Sequence, residues 1–252
     1  MSRPDLAARI HKSVSLIESI ERGERVATEQ VTSDLEGVPE LKADGMLLVL
    51  REEMKDGLTY QPFPSWFHEW PDKEAAATRL RWFEPLVMPG LLQTEDYARA
   101  VFSTRFGVTE GELDELVPAR LKRQEILERD GPPELMAIID EGVLRREMGG
   151  KHVMAEQVGR LVEAAQRPNV MLQVIRTGAH DGLRGGAFIV ADFEDAPSVA
   201  YQDTALRGQY IERAEDVAEL IHLWDTLRGE ALPRSASLAV LEDVRKTWTS
   251  AA

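Results

Sequence analysis

Few residues in this chain have the means to do chemistry, and they are scattered. His180 stands beside Asp181, a pair able to bind a metal ion or pass a proton. A metal site needs further ligands at defined spacing. His11, His68, His152 and His222 supply none, and no HExxH is present. The chain has no cysteine, which excludes disulfides and thiolate metal sites. The loop Gly178 to Gly186, GAHDGLRGG, offers backbone N–H groups to a phosphate. It is neither GxGxxG nor a P-loop, and it lies between two predicted strands, whereas phosphate sites use a helix N-terminus. A flexible hairpin connection is the plainer reading. There is no nucleophile elbow, ordered Ser-His-Asp set or spaced carboxylate pair. No catalytic residue is assigned, no metal or cofactor is expected, and the chain reads as a binding protein before an enzyme.

A second set is polar without a catalytic pattern. Arg81, Glu84, Gln93, Tyr97, Arg123, Gln124, Asp140 and Glu141 lie in or beside apolar stretches. Charged groups in such places need partners. The set is either a buried hydrogen-bond and ion-pair network or the lining of a polar pocket for a small molecule or partner peptide.

The stretch Trp66 to Phe102 must position much of this set. Lys73 to Phe83 reads as a helix-forming run, stopped by Pro85, Pro89 and Gly90. Thr94 then caps another helix, with Glu95 and Asp96 at the positive end of its dipole. The expectation is a helix–turn–helix clamp with Trp66, Phe67 and Trp70 at its entrance. These aromatics and Trp82 have the shape to stack on bases or a ligand. Beside two prolines they read more simply as a hydrophobic seam between domains.

Downstream, Thr109 to Arg129 is predicted helical, with Pro118 a break or fresh start. Leu135 to Ile139 reads as a buried strand, Met154 to Gln166 as a helix, and Val170 to Ile175 as an alternating strand. Phe188 to Phe193, Val199 to Tyr201 and Gln209 to Ile211 are further strands. Helices over Glu215 to Arg228 and Pro233 to Trp248 close the chain. The fold class is α+β: an N-terminal all-α part, then a mixed domain with a small β-sheet flanked by helices.

The N-terminal part reads as short helices. Ser2 caps Asp5 to Ile10, His11 and Lys12 make a turn, Ser13 caps a helix through Ile20 ended by Gly23, and Thr28 starts a third. Met46 to Met54 is a linker helix, Gly57 ends it, and Pro62 and Pro64 make a stiff connection to the next domain. The boundary is placed near Asp56, giving domains 1–56 and 57–252.

Composition bounds the function. A hydrophobic share of 43% and a charged share of 29% in 252 residues are those of a globular chain with a real core. No apolar run is long enough to span a bilayer, and no signal-peptide core is present, so the expected compartment is the cytoplasm. A net charge of −14 argues against a generally basic nucleic-acid surface but leaves room for a local DNA contact.

Two motifs carry a resemblance. Arg79 to Ala100 reads RxxxFEPLVxPGLLQTxxYARA. It resembles the C-terminal domain of unknown function in actinobacterial antitoxin-like transcriptional regulators, whose N-terminal domains are of the Cro-like, xenobiotic-response-element class. Leu6, Ala7, Ile10, Ser13, Ser15, Ile17, Ile20, Glu21 and Gly23 are similar to the second half of that helix-turn-helix domain. The resemblance implies that Ser13 to Ile20 is the recognition helix. It places Ser13, Val14, Ser15 and Ser19 toward the major groove, with Lys12, Arg22 and Arg25 near phosphates. Arg3 falls where relatives usually carry glutamine. The polar set lies in or near matching segments. A similar Gly-Ala-His loop in relatives adds His180 to the candidate pocket of Arg81, Glu84, Gln93, Tyr97, Arg123 and Glu141.

The implied partners are double-stranded DNA bound as a homodimer, a small protein encoded by a neighbouring gene and a small-molecule effector. Two departures stand against this. The family's first helix does not precede Ser2, which is expected to leave Leu6, Ile10 and Ile17 short of cover worth about 1.5–3 kcal/mol each. The segment to Gly37 is also net acidic, although phosphate contacts need cations. Either the natural chain starts upstream of Met1 or the DNA reader is truncated. The second case leaves a stand-alone small-molecule-binding module or enzyme with a vestigial DNA-binding segment.

Overall fold

The computed structural model describes residues 2–22, 27–43, 45–49, 51, 65–178, 186–203 and 208–251, with 65–69 and 251 described for backbone only. The chain divides into two compact units, 1–65 and 66–252. The architecture is α+β, an all-helical first unit followed by a mixed second one.

Local capping builds the first unit. The Ser2 side chain accepts from the Asp5 N–H, and the Asp5 carboxylate accepts from the Ser2 N–H at 3.1 Å, a capping box that starts α1 (Arg3–Arg9). His11, at φ 53°, turns the chain toward α2. Ser13 Oγ accepts from the Leu16 N–H at 3.2 Å and starts α2 (Val14–Glu21). Thr28 does the same for Val31 and α3 (Glu29–Glu36). Ala7, Ile10, Ile17, Val31 and Val38 form the buried centre. Ile10 and Ile17 are therefore not short of cover as the sequence reading expected, because α3 and Val38 close over them; Leu6 is half-buried. Residues 46–49 are helical, anchored where the Glu36 carboxylate accepts from Gly45, Leu47 and Leu48 N–H groups. Gly23, Asp56, Gly57, Pro62 and Pro64 lie outside the described residues, and so does the expected boundary at residue 56.

In the second unit the predicted run from Lys73 to Phe83 is not one helix. α4 (Ser65–Ala76) ends and β1 (Arg79–Glu84) begins. The physical reason is two-sided burial: Leu80 and Trp82 face one core, and Phe83 faces another. A strand between two layers suits bulky aromatic residues at successive positions. The expected helix–turn–helix clamp is thus a strand, the 3-10 turn Gly90–Leu92, and then α5 (Glu95–Ser103) capped by Thr94.

α6 (Glu110–Gln124) starts at a Thr109–Glu112 capping box and runs through Pro118 without the expected break. It is followed by β2 (Glu134–Asp140), α7 (Glu141–Arg145), α8 (Lys151–Ala164) and β3 (Val170–Ile175). Then come β4 (Phe188–Asp192), β5 (Val199–Gln202), β6 (Gln209–Ile211), α9 (Ala214–Glu230) and α10 (Arg234–Ala251).

The six strands form one sheet in the order β3-β2-β1-β4-β5-β6. β1 to β3 are mutually parallel, and β4 to β6 continue antiparallel. Because β3 and β4 are not neighbours in the sheet, the Gly178–Gly186 segment joins distant strands and is no hairpin; residues 179–185 are outside the described set.

One face of the sheet carries Leu135, Ala137, Ile139, Leu172, Val174 and Tyr201 against Val158 and Leu161 of α8 and Leu241 and Val244 of α10. The other carries Phe83, Met136, Ile138 and Val190 against Val217, Trp224 and Leu227 of α9. β3 is consequently buried on both faces and lacks the expected exposed–buried alternation. Its open edge is closed by α10. Ser237 Oγ accepts from the Val174 N–H at 3.0 Å, and the Leu232 N–H donates to the Val174 carbonyl at 2.9 Å. Among the described residues no helix is long and apolar enough to cross a membrane.

Candidate functional site

At the carboxyl end of β1 the second unit encloses a cavity of about 110 Å³. By the same measure one water needs roughly 10–15 Å³, so a small molecule has room. The cavity lies on the α8/α10 side of the sheet. β1 contributes Trp82 and Glu84, and β5 and the residue beyond it contribute Tyr201 and Asp203. The turn before α5 supplies Met88, Gly90 and Gln93; α5 supplies Val101 and Phe102, with Arg105 just beyond; α6 supplies Arg120 and Arg123; and α4 supplies Trp70.

Each polar wall is held in place. Arg123 donates Nε and Nη2 to the two oxygens of Glu74 at 2.9 Å each, and Glu74 is buried. The Trp70 indole N–H donates to the same carboxylate at 3.3 Å. Arg120 donates to Gln93 Oε1 at 2.9 Å and lies over the Phe102 ring, 4.6 Å from its centroid. Gln93 donates to the Met88 carbonyl at 2.7 Å, and Gln124 donates to the carbonyls of Gly90 and Gln93. The glycine at position 90 has a steric reason: a Cβ there would meet Arg120 Nη1 at 3.0 Å. Tyr97 sits behind this wall, its hydroxyl accepting from the Met88 N–H at 3.2 Å, and burial pushes its pKa up to about 12.

Two polar atoms of the cavity lack partners among the described residues. Glu84 Oε1 accepts from the Trp82 indole N–H at 3.2 Å; the Val87 N–H lies near the carboxyl, but Oε2 is buried and has no partner in good hydrogen-bond geometry. Burial is the main reason that the Glu84 carboxyl is pushed up to about 8, which keeps it a neutral acid at neutral pH. Arg120 Nε is likewise buried and unbonded. Burial, followed by the like charges of Arg123 and Arg105, pulls the Arg120 pKa down to about 9. A guanidinium keeps its proton near neutrality, so this crowding amounts to an unmet demand for a counter-anion.

The structure brings together three of the seven sequence-predicted pocket residues: Glu84, Gln93 and Arg123 line the cavity, with Tyr97 one layer behind. Arg81 points to the opposite face, where it pairs with Asp192 at 2.9 Å and lies over Trp224. Arg81 does not line this cavity, because β1 carries Trp82 and Glu84 to it while Arg81 meets the α9 side. Glu141 opens α7 away from the cavity and binds Arg145 and Arg176, both at 2.8 Å. Its burial raises the carboxyl pKa, but the bonds from Arg176 and Arg145 outweigh that and hold it below its ordinary value. Asp140 caps α7 through the Gly142 N–H at 2.7 Å. His180 lies outside the described residues. Trp70 and Trp82 are buried in the second unit's own core; the side chains of Trp66 and Phe67 are outside the described set.

The sequence reading did not place Arg105, Arg120, Phe102, Tyr201 or Asp203 in the pocket set. A signal existed for Arg120: with Arg123 and Gln124 it forms an i, i+3, i+4 polar group on a helix face. Tyr201 and Asp203 carried none, because their role depends on which strand lies beside β4.

In the first unit, the start of α2 is exposed at Ser13, Val14 and Ser15. The Ser13 and Ser15 hydroxyls are 3.2 Å apart, and Ser19 turns its hydroxyl onto the Leu16 carbonyl. Arg3 pairs with Glu21, Lys12 lies 3.7 Å from Asp34, and Arg22 forms the C-cap of α2. Arg25 lies outside the described residues. Among the described residues no group of three His, Asp or Glu is placed to hold a metal ion.

No curated protein and no solved structure matches this chain. The family model for a domain of unknown function, DUF5753, matches residues 67–243. That span takes in the whole sheet, α5 to α9 and every cavity wall, and it covers more than half of the chain, which therefore belongs to the DUF5753 family.

Proposed function

We propose that this protein is a DNA-binding transcriptional regulator, antitoxin-like, whose second unit takes a small-molecule effector in the cavity beside Glu84 and Arg120. The observation that carries the reading is that cavity, with aromatic walls and with buried polar atoms on Glu84 and Arg120 that have no hydrogen-bond partner among the described residues. Binding pockets have this composition, largely apolar with a few converging polar groups. Family membership agrees with a regulatory or partner-binding protein in general. A small protein encoded by a neighbouring gene is the expected macromolecular partner.

The DNA half of the proposal rests on the sequence resemblance and on the exposed start of α2. Recognition helices read base edges through their N-terminal residues, here Ser13, Val14 and Ser15. Two copies would dock in successive major grooves, with Lys12, Arg22 and Arg25 near phosphates. Effector occupancy would change DNA affinity. Selection from random duplexes tests the DNA half: the expected winners share an inverted repeat whose half-sites lie about one helical turn apart. Recovery of no common sequence contradicts it.

A second reading, a stand-alone binding module, draws on the pairing of Arg3 with Glu21 and Lys12 with Asp34. Those side chains are partly exposed, and solvent screening leaves such pairs little weight. A phosphate can displace that carboxylate at small cost, so the pairs weaken the DNA reading only slightly.

A further inference from the structure

The charges on the cavity walls select among possible ligands. Arg123 is neutralised by Glu74, and Glu84, buried and next to the Trp82 indole, is held as a neutral acid. Among the described residues, Arg105 and Arg120 then face one carboxylate, that of Asp203. One positive charge is left over in a partly desolvated space, where an unmatched charge is costly. The walls are flat and aromatic: Trp82 forms one, and Tyr201, stacked on Trp70 with ring centroids 5.1 Å apart, forms another. The volume suits a molecule on the order of ten non-hydrogen atoms.

We infer that the cavity takes a small planar molecule bearing a single negative charge, an aromatic carboxylate in chemical class. Its anionic end sits at Arg120 and Arg105, and its ring lies against Trp82 and Tyr201. The inference rests on the reading of this cavity as the effector site. A monoanion removes the surplus charge; a dianion would overshoot it, and a cation would add to it. Glu84, as the neutral acid, presents a hydrogen-bond donor to a ligand oxygen. Once ionised it would instead repel the ligand. The groups facing Glu84 are Trp82 on β1, Arg120 of α6, Tyr97 of α5 and Asp203 beyond β5. Tyr97 keeps its proton through the range in which Glu84 loses its own, and Arg120, pulled down to about 9, stays largely charged up to about pH 8.

Calorimetric titration of the full chain with benzoate, benzamide and benzylamine, up to about 10 mM, tests the inference. Benzoate is expected to bind saturably, with benzamide weaker by about tenfold or more and benzylamine not binding, since a charge-assisted bond is lost or reversed. R105Q changes an exposed residue and should fold normally; it and R120Q are each expected to weaken benzoate by about fivefold or more. Benzoate binding is expected to weaken between about pH 6.5 and pH 8 in the wild type and to stay level over that range in E84Q. If benzamide or benzylamine binds at least as well as benzoate, the inference is overturned and the effector site stands. If none of the three binds, both fall.

Discussion

Glu84 is the residue on which the second unit's chemistry turns. Its carboxyl is raised in the folded state, to about 8, above the ordinary 4.5 of the unfolded chain. Between those values the native state holds a proton that the unfolded state has released. Stability from this group is therefore fully present below about pH 4.5, falls as pH rises, and is lost above about pH 8. E84Q cannot ionise. Urea titrations of the two proteins should show the wild type losing stability from about pH 5 to pH 8 relative to E84Q, by roughly 3–4 kcal/mol at the upper end. Parallel pH profiles would contradict the assignment. Glu74 differs from Glu84 in its partners: a buried carboxylate, it is held by a bidentate arginine. Glu74→Leu removes the carboxylate that Arg123 grips with two hydrogen bonds and should cost about 3–5 kcal/mol in the same titration. Adding Arg123→Met should recover part of that loss, because the double change removes both charges and not just one. A strictly additive loss would show that the pair does not act as a unit.

At the level of elements, the cavity depends on parts that make no contact with a ligand. Gln157 of α8, fully buried, accepts from the Thr94 N–H at 2.7 Å and donates to the Leu92 carbonyl at 2.8 Å. It ties the 3-10 turn and the start of α5 to the sheet-covering helix. Gln157→Leu strands two backbone groups and should cost roughly 2–4 kcal/mol. Hydrogen exchange should then speed up at residues 88–94 before it does in β2, whereas uniform acceleration would place the tie elsewhere. The same elements show what can be read from a chain alone. Serine and threonine caps at positions 2, 13, 28, 94 and 109 mark helix starts, because a cap is a local interaction that needs no knowledge of the fold. Thr109 was legible only as the edge of a helical run, yet it marks the true start. Most strands were also legible, as short apolar runs between turn residues. Arg79 to Glu84 was not: RLRWFE has no clean alternation, because a central strand buried on both faces has no reason to alternate. Since β1 carries Glu84 and Trp82, misreading it as helix hid the cavity. Glu84, Gln93 and Arg123 were singled out as polar residues in apolar company, but their convergence depends on the order β3-β2-β1-β4-β5-β6, which no local pattern encodes.

Over the whole molecule, the proposal joins an acidic chain to a polyanion. The net charge of −14 repels DNA in general, so binding must come from a local cationic face of the first unit. Lys12→Gln should weaken binding to all duplexes alike and reduce the steepness of the salt dependence by about one ion, as expected for a phosphate contact. An unchanged slope would remove Lys12 from the interface. The most direct test of the central claim is an anisotropy titration of the full chain at low and near-physiological salt. The duplexes are one taken from immediately upstream of its own gene and an unrelated one of equal length. The account predicts saturable binding to the first, tighter than to the second by at least about a thousandfold and weaker as salt rises. Equal affinity for both duplexes, or no binding to either at low salt, would contradict it.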